Sequence, residues 1–129
     1  MPTLPSGTEL VRPFIPATDF ERSKGFYEAL GFERLVDGDV AIYRMGTSGF
    51  ILQPVTEHAR ARNMMMQLMV DDLDAWWARI EALDLVARFG TTMMRAPAMQ
   101  PWGLRVAFVT DPGGVLWHVA ERRPGVVQD

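Results

Sequence analysis

The sequence predicts an α+β fold: two βαβββ modules in tandem, forming a curved sheet around a cavity. Three observations predict it. First, the chain repeats itself. A shift of 53 lays residues 19–32 on 72–85, with identities at Asp19/Asp72, Glu28/Glu81, Ala29/Ala82 and Leu30/Leu83. Second, each copy carries apolar residues at helical spacings of three and four. Third, strand-like runs flank both helices in one order: strand, helix, three strands. One helix covers only one face of its sheet, so two paired halves leave a concave cavity between sheets, a usual place for ligands.

The elements follow in order. A strand is expected at residues 11–15. Thr18 and Glu21 form a capping box for the first helix, whose inner face is Phe20, Ser23, Tyr27 and Leu30. Gly31 ends that helix in a left-handed conformation. Strands follow at 32–36, 40–45 and 50–55, with turns at Asp37-Gly38 and 46–49. A polar linker, 56–63, carries His58 beside Arg60 and Arg62 and reads as solvated. The second copy opens with a strand at 64–70. Asp71 and Asp74 echo the capping box, and Leu73, Trp76, Ile80 and Leu83 form the inner face. Asp84 is a poorer terminator than Gly31. Strands are expected at 85–89, 104–110 and 115–120, with a turn at 111–114. Residues 90–103, holding Pro97 and Pro101, read as a long functional loop. Trp76 and Trp77 read as core, and Arg122-Arg123 as a solvated tail. The whole chain, 1–129, reads as one domain, with module one at about 9–55 and module two at about 64–121.

Composition narrows the function. The chain has 129 residues, 48% hydrophobic and 22% charged, a globular balance. No apolar run reaches the ~18 residues of a membrane span. Residues 1–10 lack the basic and apolar regions of a signal peptide, so a cytoplasmic location is expected. A net charge of −3 argues against nucleic acid as partner. Without cysteine there are no disulfides, thiolate metal sites or cysteine nucleophiles. Two histidines exclude a three-imidazole site within one chain. Nine methionines are unusual. They cluster at Met64, Met65, Met66 and Met69, and at Met93, Met94 and Met99. Thioethers fill irregular cores and also line adaptable apolar pockets, and both roles are open here.

Three fragments carry a family resemblance. They are Ile15-Pro-Ala-Thr-Asp-Phe-Glu-Arg-Ser-Lys-Gly-Phe-Tyr-Glu-Ala-Leu-Gly-Phe32, Val70-Asp-Asp-Leu-Asp74, and Pro101-Trp-Gly-Leu-Arg105 leading to Asp111-Pro-Gly-Gly-Val-Leu-Trp117. With these, the chain resembles the vicinal oxygen chelate superfamily, from about Leu10 to Glu121. That group includes glyoxalase I, extradiol dioxygenases, fosfomycin-resistance enzymes and bleomycin-resistance proteins. Its metal enzymes often place histidine, glutamate, histidine and glutamate on four strands. The resemblance puts Arg12, Gln53, Met65 and His118 at those positions. This set suits no divalent cation, because arginine is a permanent cation without an acceptor. At 4 Å from a 2+ ion its repulsion is about 8 kcal/mol at an effective dielectric of 20. The resemblance therefore implies no metal and no other cofactor. Pro13 and Pro16, spaced Pro-x-x-Pro-x-x-Asp, are similar to the first strand of the bleomycin-resistance branch. Edge protection explains the same prolines. That branch implies metal-free homodimers that sequester a drug in grooves at the subunit interface.

Strand alternation then sorts the faces. If the former ligand positions face the cavity, so do Arg12, Phe14, Ile51, Gln53, Met65, Gln67, Met69, Leu116, His118 and Ala120. Val11, Ile15, Leu52, Met66, Leu68, Trp117 and Val119 pack against the helices. Trp102, in the long loop, is placed to stack on a flat ligand at the mouth, with loop packing as the alternative. Met93, Met94 and Met99 would form an adaptable lid there. The candidate ligand-binding residues are thus Arg12, Phe14, Gln53, Met65, Gln67, Trp102, Leu116 and His118. Arg12 has the plain alternative of an ion pair, and His118 that of a hydrogen-bonded structural residue. The expected function is capture of an aromatic or amphipathic small molecule, with antibiotic resistance as a role. The alternative is an enzyme of the same superfamily (a lyase, isomerase or dioxygenase) using His118. A third reading is a structural or regulatory protein whose cavity is filled by its own side chains.

Overall fold

A computed structural model describes residues 4–8, 10–57, 60–61 and 63–123. His58 and Arg62 of the expected linker lie outside them. Two four-stranded sheets are present, and they repeat one topology. In the first, the order is β1 (Phe14–Ala17), β4 (Ser48–Pro54), β3 (Ala41–Met45), β2 (Glu33–Asp37). In the second, it is β5 (Met65–Val70), β8 (Leu116–Glu121), β7 (Arg105–Thr110), β6 (Met94–Met99). β1 runs parallel to β4, and β5 parallel to β8; the other pairings are antiparallel.

The repeat is most exact at the helix starts. α1 (Phe20–Leu30) is capped by Asp19, whose carboxylate accepts from the Arg22 N–H at 3.1 Å. α2 (Leu73–Ala82) is capped by Asp72, which accepts from the Ala75 N–H at 2.9 Å. Both caps have nearly the same backbone, φ −119°, ψ 89° and φ −121°, ψ 87°. The caps are therefore these aspartates, not Thr18 and Asp71, because each satisfies the orphan N–H three residues on. Gly31 ends α1 at φ 118°, as expected. Its repeat partner Asp84 also turns left-handed, at φ 54°.

After Asp84 the modules diverge. Residues 85–89 form a short helix, α3 (Leu85–Phe89), not a strand. Leu85 and Phe89 are both buried, at the four-residue spacing of one helix face. Gly25 lets α3 approach α1: a Cβ there would sit 2.9 Å from the Phe89 ring. The missing strand is β6, inside the stretch expected to be loop. Pro97 is tolerated because β6 is an edge strand and its register shifts between Arg95 and Ala98. Met94 therefore packs against the core and Met99 is exposed on a strand, rather than both forming a lid. Two smaller corrections apply. The first strand begins at Phe14, and Val11 is 93% exposed instead of packing on a helix. Arg122 is not a free tail: its N–H donates to the Val70 carbonyl and its guanidinium to Asp71 at 3.0 Å.

One hydrophobic cluster spans both modules, joining Ile15, Tyr27, Tyr43, Phe50 and Leu52 to Leu73, Ile80, Trp117 and Val119. Trp76 and Trp77 pack at its edge. A buried polar chain crosses the same boundary. Trp117 Nε1 donates to Tyr27 Oη at 3.0 Å, and Tyr27 Oη donates to Asp111 Oδ2 at 2.6 Å. The N–H groups of Gly113, Gly114 and Val115 donate to Asp111 Oδ1. Burial, with Asp111 alongside, raises the Tyr27 phenol well above its ordinary value, so it stays a donor. Burial also raises Asp111, against the pull of its hydrogen bonds.

Candidate functional site

The inner anchoring of β8 decides what its other face presents. Trp117 and Val119 are held in the core, so strand alternation turns Leu116 and His118 outward. Parallel pairing sets Met65 beside Leu116 and Gln67 beside His118. Antiparallel pairing places Phe108 of β7 on the other side of His118. The Phe108 ring meets the imidazole edge-on, with centroids 4.7 Å apart. Trp102 comes from the tight turn between β6 and β7, closed by the Gln100 N–H donating to the Leu104 carbonyl at 2.8 Å. Its ring lies 6.1 Å from the imidazole, tilted by 37°.

Met65, Met66, Gln67, Trp102 and His118 thus enclose an open hollow of about 300 Å³. Its lining is thioether, aromatic ring, amide and imidazole, with no carboxylate. Met65 and Trp102 are 67% and 55% exposed, which is costly apolar surface to leave in water without a use. Burial lowers the His118 pKa below the ordinary histidine value, so the imidazole is neutral at pH 7. Its Nε2 is buried and has no hydrogen-bond partner. Among the described residues this nitrogen therefore lacks the partner a hydrogen-bonded structural histidine would have.

Four of the eight expected residues meet at this hollow, Met65, Gln67, Trp102 and His118, and Leu116 lies beside Met65. The other three belong to the first module. Phe14 opens β1 and is 54% exposed. Gln53, on β4, lines a separate hollow of about 270 Å³ with Pro54, Val55, Thr56, Glu57 and Arg60. Arg12 precedes β1, half-buried, with its Nε buried and without a hydrogen-bond partner. Among the described residues no carboxylate pairs with it. Ala120, expected beside His118, is fully buried. Phe108 was missed by the sequence reading. Its signal was available: counting back across the 111–114 turn puts it opposite His118.

The donor set also tests the superfamily's metal. Among the described residues, no three histidines, cysteines or acids converge as a cation site. Arg12, Gln53, Met65 and His118 offer one imidazole, one amide, one thioether and one permanent cation. A divalent ion does not fit that set.

The family model for the Glyoxalase/Bleomycin resistance protein/Dioxygenase superfamily matches residues 9–119. The chain belongs to that superfamily. A bleomycin resistance protein of Klebsiella pneumoniae is 27% identical, over 88% of this chain and 93% of its own length. Among solved structures, a bleomycin-binding protein complexed with bleomycin is 25% identical with a TM-score of 0.75. The match covers 90% of this chain and 100% of that one. A bleomycin-binding protein from Streptomyces verticillus, complexed with copper(II)-bleomycin, is 26% identical with a TM-score of 0.69. That match covers 90% and 99% of the two chains. The tandem α+β architecture of this superfamily member is thus shared by proteins that hold an antibiotic.

Proposed function

We propose that this protein is a metal-free binding protein that sequesters an aromatic or amphipathic small molecule of the bleomycin type, and so confers antibiotic resistance. The observation that carries the reading is the hollow at His118. Trp102 offers a stacking face, Met65 an adaptable apolar wall, and Gln67 and neutral His118 two hydrogen-bonding groups. The likeness to bleomycin-binding relatives supports the same reading. Isothermal titration with metal-free bleomycin tests it. Saturable binding is expected, weakened about 30-fold by Trp102→Ala, the effect of a ~2 kcal/mol hot spot. No heat of binding from any bleomycin-type glycopeptide would remove the drug.

The working unit in this reading is a homodimer of single-domain chains, with modules at about 9–55 and 64–121. Pairing the first sheet of one copy with the second sheet of another brings Arg12, Phe14 and Gln53 opposite Met65, Gln67, Leu116 and His118. The exposed apolar side chains Phe14 and Met65 support it. Sedimentation at micromolar concentration should give twice the chain mass of 14.5 kDa. A monomer would overturn this part. We place the protein in the cytoplasm, with no nucleic acid or membrane partner. Among the described residues no helix is long and apolar enough to cross a membrane.

One observation favours the alternative, an enzyme using His118: its Nε2 is without a hydrogen-bond partner. Its ring neighbours are Phe108 and Trp102, however, and neither can orient a general base. Turnover of a superfamily substrate that disappears in His118→Ala would install the enzyme reading.

A further inference from the structure

We propose that part of the ligand is held by strand addition: a peptide-like segment of the drug lies along the open edge of β5 and pairs with its backbone. The inference rests on the drug-capture reading and names the part of the ligand that reading leaves unplaced. β5 is an edge strand whose one ladder is with β8. The Leu116 N–H donates to the Met64 carbonyl at 3.0 Å, and the Arg122 N–H to the Val70 carbonyl at 2.8 Å. In a parallel pair, every second residue of a strand turns its backbone groups toward the neighbour. Met66, Leu68 and Val70 therefore face β8, and Met65, Gln67 and Met69 present N–H and C=O groups to the open side. Among the described residues no other backbone bond reaches those three.

The other three edge strands are blunted, and β5 is not. β1 holds Pro16, β2 carries Glu33, Arg34 and Asp37 with a register shift, and β6 holds Arg95 and Pro97 with another. Proline, charge and irregular register are the usual means of keeping an edge from pairing. β5, Met-Met-Gln-Leu-Met-Val, has none of them, and its register with β8 is unbroken. What lies alongside selects the occupant. A slot of about 590 Å³ has residues 67–71 as one wall and the β3–β4 turn, residues 45–48, as another, with Trp76 and Arg122. That volume suits a segment of a small molecule. A second copy would bring a whole sheet behind its strand, against the turn. Arg122 is paired with Asp71 at 3.0 Å, so the two charges of the slot offset each other and the lining favours uncharged amides over an ion. The slot is separate from the His118 hollow, and Gln67 lines both. A glycopeptide exceeds a hollow of about 300 Å³, and its continuation runs past Gln67 along the bare edge. Main-chain bonds of this kind hold an extended peptide whatever its side chains.

Amide hydrogen exchange on the full-length chain, read residue by residue with and without saturating metal-free bleomycin, tests the edge. The drug should slow exchange at Gln67 and Met69 at least tenfold, while Leu68, already bonded to β8, changes little. Titration calorimetry of two variants gives a second readout. Met69→Pro deletes one outward N–H and leaves the β8 ladder intact, whereas Met69→Leu keeps both that N–H and the volume. Met69→Pro should bind about tenfold more weakly than Met69→Leu, the effect of one lost hydrogen bond. Equal affinities of the two folded variants overturn the proposal, and so does unchanged exchange at both amides in the saturated complex. Slow exchange at both amides in the free chain would show a second copy on the edge and overturn it likewise. Where Met69→Pro does not fold, exchange in the parent decides alone. A parent that binds bleomycin but gives any of these results keeps the binding protein and loses the strand addition. A parent that binds no bleomycin loses the drug reading, and the strand addition with it.

Discussion

The two faces of β8 obey opposite rules. Trp117 and Val119 point inward, are almost fully buried, and Trp117 has its one polar atom satisfied by Tyr27. Leu116 and His118 point outward, half-exposed, and His118 keeps an unpartnered nitrogen. Adjacent residues on one strand thus serve stability and recognition separately. On this strand the face that packs the core has its polar atom satisfied, whereas the outward face leaves one unsatisfied.

Substitutions can sharpen or break that contrast. The largest effect is expected from Trp117→Ala, which removes an aromatic from the shared core. It should cost about 3–5 kcal/mol in urea unfolding. A loss below about 1 kcal/mol would show that the inner face does not govern stability. Next comes Gly25→Ala, which pushes a methyl against Phe89 and should destabilise by about 1–3 kcal/mol. Phe89→Leu in the same chain should recover part of that loss by making room. On the outer face, Met65→Ala should change stability by no more than about 0.5 kcal/mol while weakening bleomycin binding. Equal losses of both would erase the distinction between the faces.

The smallest effect is a pH dependence. Burial lowers the His118 pKa in the folded protein, so the unfolded chain binds that proton more readily. The stability from His118 is therefore complete above the ordinary histidine value of 6.5 and declines as pH falls below it. Thermal unfolding at pH 8 and pH 5 should show a lower Tm at pH 5. His118→Leu should reduce that difference, and an unchanged difference would place its origin elsewhere.

Much of this organisation was legible in the residues. The 53-residue repeat located both helices, although the caps fall on Asp19 and Asp72, one residue after the expected Thr18 and Asp71. Alternation assigned the inner face of β8 correctly. The errors came where the second module departs from the first. Residues 85–89 hold three good helix formers, Leu85, Ala87 and Arg88, and packing of Phe89 on α1 fixes them as a helix where the repeat predicts a strand. Pro97 hid β6, because an edge position and a register shift are invisible in one sequence. The candidate site was half legible. Met65, Gln67, Trp102 and His118 converge through parallel register, which follows from the repeat, and through one turn, which lies where the modules diverge. Arg12, Phe14 and Gln53 lie in the other module, and a single sequence does not say which copy of the chain faces them.

One small contact has a longer reach. From α2, Arg79 donates to the carbonyls of Leu30 and Ala29 at the end of α1, at 3.1 and 3.0 Å. The first half of the chain therefore borrows the finishing of its own helix from the second. A fragment cut at the linker would bare those two oxygens and lose its borrowed counter-charge. Either half expressed alone is therefore expected to melt earlier than the whole, with α1 fraying from its last turn.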